Sequence, residues 1–198
     1  VKYDLDVSHS YKEVKLPKVS DNNLMWLFGH YLGDGYITKA KNKDKMRLHF
    51  AAHESQQEIR DKIKEIMKKY FGYDTIYEDK FRMSINSTKI ALFFRENGFY
   101  GKAREKSMPG WVHSLPKEQK LALLAGYIDA DGTVRKENKS IDITSVNWGL
   151  LEQVKELSVY CGLTTSKITT FKSGLGGTGH RVSITGRTRE IPCIHKTK

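Results

Sequence analysis

Cysteine is almost absent: Cys161 and Cys193 are the only two in 198 residues, far apart and outside any CxxC or metal-finger spacing. A disulfide-stapled scaffold and a cysteine-based zinc site are therefore excluded, and a reducing, intracellular setting is expected. Long apolar runs are missing too. The longest, around Leu24–Leu32 and Leu121–Ile128, are far too short to span a bilayer, and Val1 to Tyr11 mix charges with apolar residues where a signal peptide would carry an apolar core. A soluble chain without a membrane segment is expected. Acidic charge is in deficit, with 23 Asp and Glu against 34 Lys and Arg, a formal net charge of +11. Residues 1–100 hold 18 basic and 14 acidic groups (+4) and residues 101–198 hold 16 and 9 (+7), so no detachable basic tail explains the surplus. The seven histidines form no HExxH, and the glycine-rich stretch Gly174–Gly179 lacks the Lys-Ser/Thr of a P-loop.

What is present is a moderate hydrophobic share of 38% and aromatics at 11%, enough for one integrated globular unit. The positive surplus points to a polyanionic partner, nucleic acid ahead of an anionic membrane surface.

The chain also repeats itself. Leu27-Phe-Gly-His-Tyr-Leu-Gly-Asp-Gly35 and Leu124-Ala-Gly-Tyr-Ile-Asp-Ala-Asp-Gly132 share Leu, Gly, Asp and Gly at matching places. In the same order, Tyr70-Phe-Gly72 answers Tyr160-Cys-Gly162, and Arg82-Met-Ser-Ile-Asn86 answers Arg181-Val-Ser-Ile-Thr185. Lys106-Ser-Met-Pro109 resembles Arg189-Glu-Ile-Pro192. The changing offsets predict a longer first hairpin near residues 39–45 and extra loop at residues 172–179.

Periodicity gives both halves the same plan. An apolar helix ends in Asp-Gly and an alternating strand pair follows, with Lys45, Arg47 and His49 opposite Met46, Leu48 and Phe50 in one copy, and Ser140, Asp142 and Thr144 opposite Ile141 and Ile143 in the other. An amphipathic helix comes next, 55–71 or 148–160, and then two more strands, where Phe81, Met83 and Ile85 alternate with Arg82, Ser84 and Asn86, and Val182 and Ile184 alternate with Arg181, Ser183 and Thr185. A last helix, clearest at 89–97, closes the unit. The prediction is an α+β fold: a pair of αββαββα units, residues 21–105 and 106–198, behind an N-terminal extension of residues 1–20 that shows no clear pattern. Each half offers an antiparallel sheet with one apolar face under helices and one polar, basic face left open. Trp26, Trp111 and Trp148 are expected to pack in the core or between helices.

The two Asp-Gly helices carry small residues four apart, Gly29 and Gly33 in one and Gly126 and Ala130 in the other. Residues at i and i+4 share a face, so these helices can pack backbone to backbone, around an approximate two-fold axis that brings Asp34 and Asp131 to one place. Two carboxylates at the negative ends of helix dipoles repel each other, and a divalent cation removes that penalty.

Leu124–Gly132 differs from the LAGLIDADG signature only at Tyr127, Leu27–Gly35 is a looser copy, and the chain resembles a monomeric, two-motif LAGLIDADG homing endonuclease from about Leu24 to Ile191. That resemblance implies a pseudo-symmetric saddle of β-strands on a long double-stranded DNA site, both strands of which are cut across the minor groove, in a monomer with internal two-fold pseudosymmetry and access to DNA inside the cell. It implies Mg²⁺ as cofactor, with Mn²⁺ or Ca²⁺ able to replace it in binding, held by Asp34 and Asp131 beside Gly33 and Ala130. Asp129 has Leu32 as its counterpart and receives no metal role. The resemblance also places a basic residue near each scissile phosphate, Lys106 for the first half and Arg189 for the second. Arginine does not give up its proton near neutral pH, so unequal cutting of the strands follows as an expectation.

Specificity is then expected from Arg47, His49, Arg82, Asp142, Thr144, Arg181 and Ser183 on the open strand faces, and phosphate affinity from Lys39, Lys41, Lys45, Arg135, Lys136 and Lys172. Two alternatives stay open: a nucleic-acid-binding protein of the same fold without cleavage, such as an intron maturase or a degenerate endonuclease, and a basic protein that coats nucleic acid without specificity. Val1 in place of Cys or Ser, and an end at Lys196-Thr-Lys198, speak against a complete intein.

Overall fold

The computed structural model describes residues 13–39, 45–135, 139–172 and 177–194. The expected helix, hairpin, helix and hairpin recur in each half. In the first, α1 (Asn22–Asp34) leads into β1 (Gly35–Lys39) and β2 (Met46–Ala51), followed by α2 (Gln57–Phe71), β3 (Ile76–Glu78), β4 (Arg82–Ile85) and α3 (Thr88–Glu96). In the second, α4 (Lys117–Asp131) leads into β5 (Gly132–Arg135) and β6 (Ser140–Ser145), then α5 (Trp148–Tyr160), β7 (Thr164–Thr165), β8 (Thr169–Lys172) and β9 (Thr178–Thr185). The sheets are wholly antiparallel, with strand orders β1-β2-β4-β3 and β5-β6-β9-β7, and β8 also pairs with β9.

Local chemistry starts the helices. Asp21 accepts the amide of Leu24 at 3.0 Å to cap α1, and Ser87 and Asn147 cap α3 and α5 in the same way. Nine consecutive residues of α1, Leu24–Leu32, are buried, as are the nine of α4 from Leu121 to Asp129, so both helices are covered on every side. The first half packs around rings, with Phe28 stacked on Phe99 at 4.2 Å and edge-on to Phe94 at 5.0 Å. Its counterpart relies on aliphatic residues such as Ile143, Leu151, Val154 and Val182. Of the N-terminal extension, Val14 is buried and Lys15 donates its amide to the Phe71 carbonyl at 3.1 Å, which ties this segment to the end of α2.

Four expectations need correction. The second half closes with a short 3₁₀ turn, Thr188–Glu190, in place of an α-helix, because Gly186, at φ 82°, and Pro192 leave too few residues between them for a helix to propagate. Its last hairpin is split, since Ser166 leaves the strand line to exchange hydrogen bonds with the Ser183 backbone, separating β7 from β8. Phe81 is exposed because it sits in the turn that Asp79 forms by accepting the amides of Phe81 and Arg82. Trp148 keeps 42% of its surface and meets His180 edge-on, whereas Trp26 is buried as expected.

Candidate active site and nucleic-acid interface

The site begins at the contact between α1 and α4. A Cβ on Gly29 would lie 1.9 Å from the Leu123 carbonyl oxygen, and one on Gly126 would lie 1.9 Å from that of Trp26. No side chain fits in either place, so the backbones touch and glycine is obligatory. One turn further on, a Cβ at Gly33 would meet the Ala130 methyl at 2.5 Å and an Asp131 carboxylate oxygen at 3.1 Å. Packing at Gly29, Gly33, Gly126 and Ala130 therefore delivers both helix ends, and with them Asp34 and Asp131, to one spot. Each helix then runs straight into a strand: Gly35 and Gly132 have extended backbones, with φ −88° at both. Glycine is needed at Gly35 for space, since a Cβ there would strike the Tyr31 ring at 2.2 Å.

Lys106 enters this spot from the loop that follows the first half. Its Nζ donates to the carbonyls of Tyr31, Leu32 and Gly33 at 3.0, 3.1 and 2.9 Å, which caps the exposed end of α1, and it lies 5.2 Å from the centre of the Tyr31 ring. Only 5% of the residue is exposed. Burial lowers its pKa to about 8, while Asp131 and Asp34 pull the other way. Asp131 keeps an open surface, yet the protein packed around it raises its carboxyl to about 6 against the opposing charge of Lys106. Tyr127 is fully buried, and its hydroxyl is raised by burial first and then by the charge of Asp131.

Second-half residues hold the Lys106 loop. The Asn147 amide donates to the carbonyls of Ala103 and Lys106 at 3.2 and 2.8 Å while its oxygen caps α5. Gln153 accepts the Met108 amide at 2.8 Å and donates to the Met108 carbonyl at 3.0 Å. Lys106 thus has its backbone fixed by one half and its charge by the other. Arg189 is not its counterpart. It lies in the 3₁₀ turn, four residues past the end of β9, whereas Lys106 comes after the whole of α3. Its neighbour Glu190 pairs with Lys117 in the first turn of α4, and Thr188 with the Lys139 carbonyl, so this turn is anchored at the start of α4 and not at Asp131. The shared basic-x-x-Pro spacing does not correspond to a shared position.

The donor set suits a hard divalent cation. Among the described residues no group of three or more His, Cys, Asp or Glu is placed to hold a metal; a cation at the helix ends would meet the two carboxylates of Asp34 and Asp131 and would take its other ligands from water or phosphate oxygens. The Gly33 carbonyl is already engaged by Lys106. Asp129 is inside the protein, accepting Trp26 Nε1 at 2.8 Å and the Ile194 amide at 2.9 Å.

From the helix ends the sheets spread outward with one face clear of helices. Register puts Tyr36, His49, Ser84 and Tyr77 in one row across the first sheet, with Thr38 and Arg47 beside it. Tyr36 stacks on His49 at 4.7 Å, and the His49 ring nitrogens lie 2.9 and 2.8 Å from the hydroxyls of Thr38 and Ser84. Burial first, then Arg82 and Arg47, lower the His49 pKa, so it is neutral at pH 7. It is also buried, with both ring nitrogens engaged by neighbouring hydroxyls. The second sheet aligns Thr133, Asp142 and Ser183, and next to them Thr144 and Arg181, whose guanidinium lies 5.3 Å from the centre of the Phe171 ring. Lys39 pairs with Met46, and Lys172 with Thr178, so both fall on the alternate register, on the other side from Arg47 and Arg181. Lys45 extends the Arg47 side of β2; Lys41 and Lys136 lie outside the described residues. Sequence periodicity missed Tyr36, Asp79 and Asn147. Tyr36 was readable from its alternation with Ile37; Asn147 showed only as a helix cap.

Comparison with known proteins agrees with this fold. Residues 118–189 match the family model of the LAGLIDADG-like domain. The structure aligns with that of I-DmoI in complex with DNA and Ca at a TM-score of 0.61 and 18% identity, covering 85% of each chain, and with I-DmoI in complex with DNA and Mn at 0.59. Among curated sequences, an iron–sulfur cluster assembly SufBD family protein of Mycobacterium leprae is 30% identical over 161 residues, 81% of this chain and 18% of that protein. The DNA polymerase II large subunit of Thermococcus kodakarensis is 30% identical over 135 residues, 68% of this chain and 7% of that protein, and a DNA polymerase of Thermococcus hydrothermalis is 32% identical over 148 residues, 72% and 9%. The chain spans less than a fifth of the length of these relatives.

Proposed function

Because the chain belongs to the LAGLIDADG family, we propose that it is a site-specific double-strand DNA endonuclease that uses a divalent metal, Mg²⁺ being the expected one, and works as a monomer. The observation that carries this reading is the meeting of Asp34, Asp131 and the buried Lys106 at the adjoining ends of α1 and α4, between two sheets with open polar faces. Asp34 and Asp131 would hold the cation, which when bound supplies an electrophile for the phosphate and lowers the pKa of bound water. Lys106, held beside both carboxylates, would offset negative charge that builds on the scissile phosphate, and with a pKa near 8 it can also exchange a proton close to neutral pH. Strand residues on the open faces would read a duplex longer than either sheet alone could cover. The I-DmoI structures contain DNA together with Ca, Mg or Mn, which supports a duplex partner and a divalent ion. The curated relatives bear unrelated names and share only a small fraction of their length with this chain, as an inserted module would.

A second reading has one observation in its favour. Arg189 lies in a turn anchored through Glu190 to Lys117 at the start of α4, and so does not take for the second half the role that Lys106 takes for the first. Cutting of one strand ahead of the other, or binding without cleavage, would follow. One experiment separates these outcomes: a random duplex library is incubated with the protein and Mg²⁺ or EDTA, and cleaved ends are sequenced. Site-specific ends on both strands with Mg²⁺ alone support the endonuclease. Ends on one strand support a nickase, and enrichment of bound but uncut sites supports the binding protein.

A further inference from the structure

Two arginines on the open faces are held by carboxylates in the same manner. Arg135 donates Nε to Asp142 Oδ2 at 2.6 Å, and Asp142 Oδ1 accepts the Ser183 hydroxyl at 2.7 Å. Arg82 donates Nε to Asp79 Oδ2 at 2.8 Å, and Asp79 Oδ1 accepts the amides of Phe81 and Arg82. In both pairs the carboxylate is fixed by a second set of bonds before it meets the arginine. Asp142 retains only 8% of its surface, so it is spent inside the protein and does not reach a base, contrary to its expected reading role. The two arginine side chains stay about half exposed. Using Nε for the carboxylate leaves the two terminal nitrogens of each arginine side by side. Those of Arg135 have no acceptor among the described residues, and for Arg82 only the Tyr36 hydroxyl comes near, at 3.5 Å.

We propose that Asp142 and Asp79 are positioning residues that hold Arg135 and Arg82 end-on, so that each arginine selects a guanine in the major groove of the bound duplex. The inference rests on the DNA-binding reading above. Guanine alone presents two acceptors, N7 and O6, at the spacing of a guanidinium's terminal nitrogens, whereas adenine sets a donor where O6 would be. Holding Nε removes the rotamer freedom that a solvent-exposed arginine would otherwise lose on binding. Arg135 is on β5 and Arg82 on β4, strands that do not correspond between the halves, so the two guanines fall at unrelated distances from the centre and the target is asymmetric.

The test is selection of bound sites from a randomised duplex library with Ca²⁺, followed by sequencing, for the wild type and the variants Asp142→Asn, Asp79→Asn and Arg135→Lys. The wild type is expected to require guanine at one position in each half-site. Asp142→Asn should lower the preference for guanine over adenine about tenfold at one of them and leave the rest of the profile intact, Arg135→Lys should act at that same position, and Asp79→Asn at the other. Arg135→Lys changes an exposed side chain and carries the test if Asp142→Asn does not fold. A uniform loss of affinity with an unchanged base profile, or effects of Asp142→Asn and Arg135→Lys at different positions, would overturn the inference while leaving DNA recognition intact. A wild-type protein that enriches no sequence would overturn the DNA reading itself, and this inference with it.

Discussion

At the scale of residues, three groups share one small volume, and their charges are in tension. Asp131 is held with its pKa near 6, above the ordinary carboxylate value, so the folded protein binds more protons than the unfolded chain between about pH 4 and 6. Stability from this group is greatest at low pH, falls as pH rises through that window, and stays low above it. Asp131→Asn removes the cost. After discounting for the open surface of the carboxylate, the variant is expected to be more stable by about 1 kcal/mol at pH 7, seen as a higher urea midpoint, with a shallower fall in stability between pH 4 and 6. Its cleavage should vanish. Lys106 works in the opposite sense, since burial holds its pKa near 8 and folding disfavours its protonated form. The aspartates were legible in the sequence because their chemistry is local to a repeated motif. The three carbonyls around Lys106 were not, because they belong to residues more than seventy positions earlier.

At the scale of elements, α1 and α4 decide whether a site exists. Gly29→Ala or Gly126→Ala would drive a methyl group into a facing carbonyl at 1.9 Å, and the helices can only respond by separating. A loss of about 3 kcal/mol or more is expected for each, measured by urea unfolding, together with loss of metal-dependent cleavage. The loop bearing Lys106 allows a subtler test. Asn147→Ser keeps a cap for α5 and removes the amide that holds Ala103 and Lys106. Cleavage is expected to slow about tenfold at unchanged DNA affinity, with Asn147→Ala, which lacks the cap as well, also unfolding earlier. Helix positions and strand alternation could be read from periodicity because one buried face imposes the period. The split of β7 from β8 could not, since Ser166 acts through Ser183 on the neighbouring strand; the short closing turn was open to reading from the spacing of Gly186 and Pro192, which periodicity alone passes over.

At the scale of the whole molecule, a duplicated chain has kept its symmetry at the centre and lost it outside. Both motif helices, both helix-end carboxylates and both sheets remain, while the closing helix, the strand count and the use of aromatic against aliphatic cores differ. The charge surplus of +11 points to a polyanionic partner, and its uneven split, +4 against +7, sets the two halves apart. What composition cannot convey is placement: register sets Lys39 and Lys172 on the other side of their strands from Arg47 and Arg181. The central claim is that Asp34 and Asp131, one from each half, form one metal-dependent cutting site. Its most direct test follows a supercoiled plasmid carrying the selected target, with Mg²⁺, through its nicked and linear forms for wild type, Asp34→Asn and Asp131→Asn, with binding to the same target measured alongside. Each variant is expected to bind within about threefold of wild type and to yield no linear product; linear product at the wild-type rate from either variant would contradict the account.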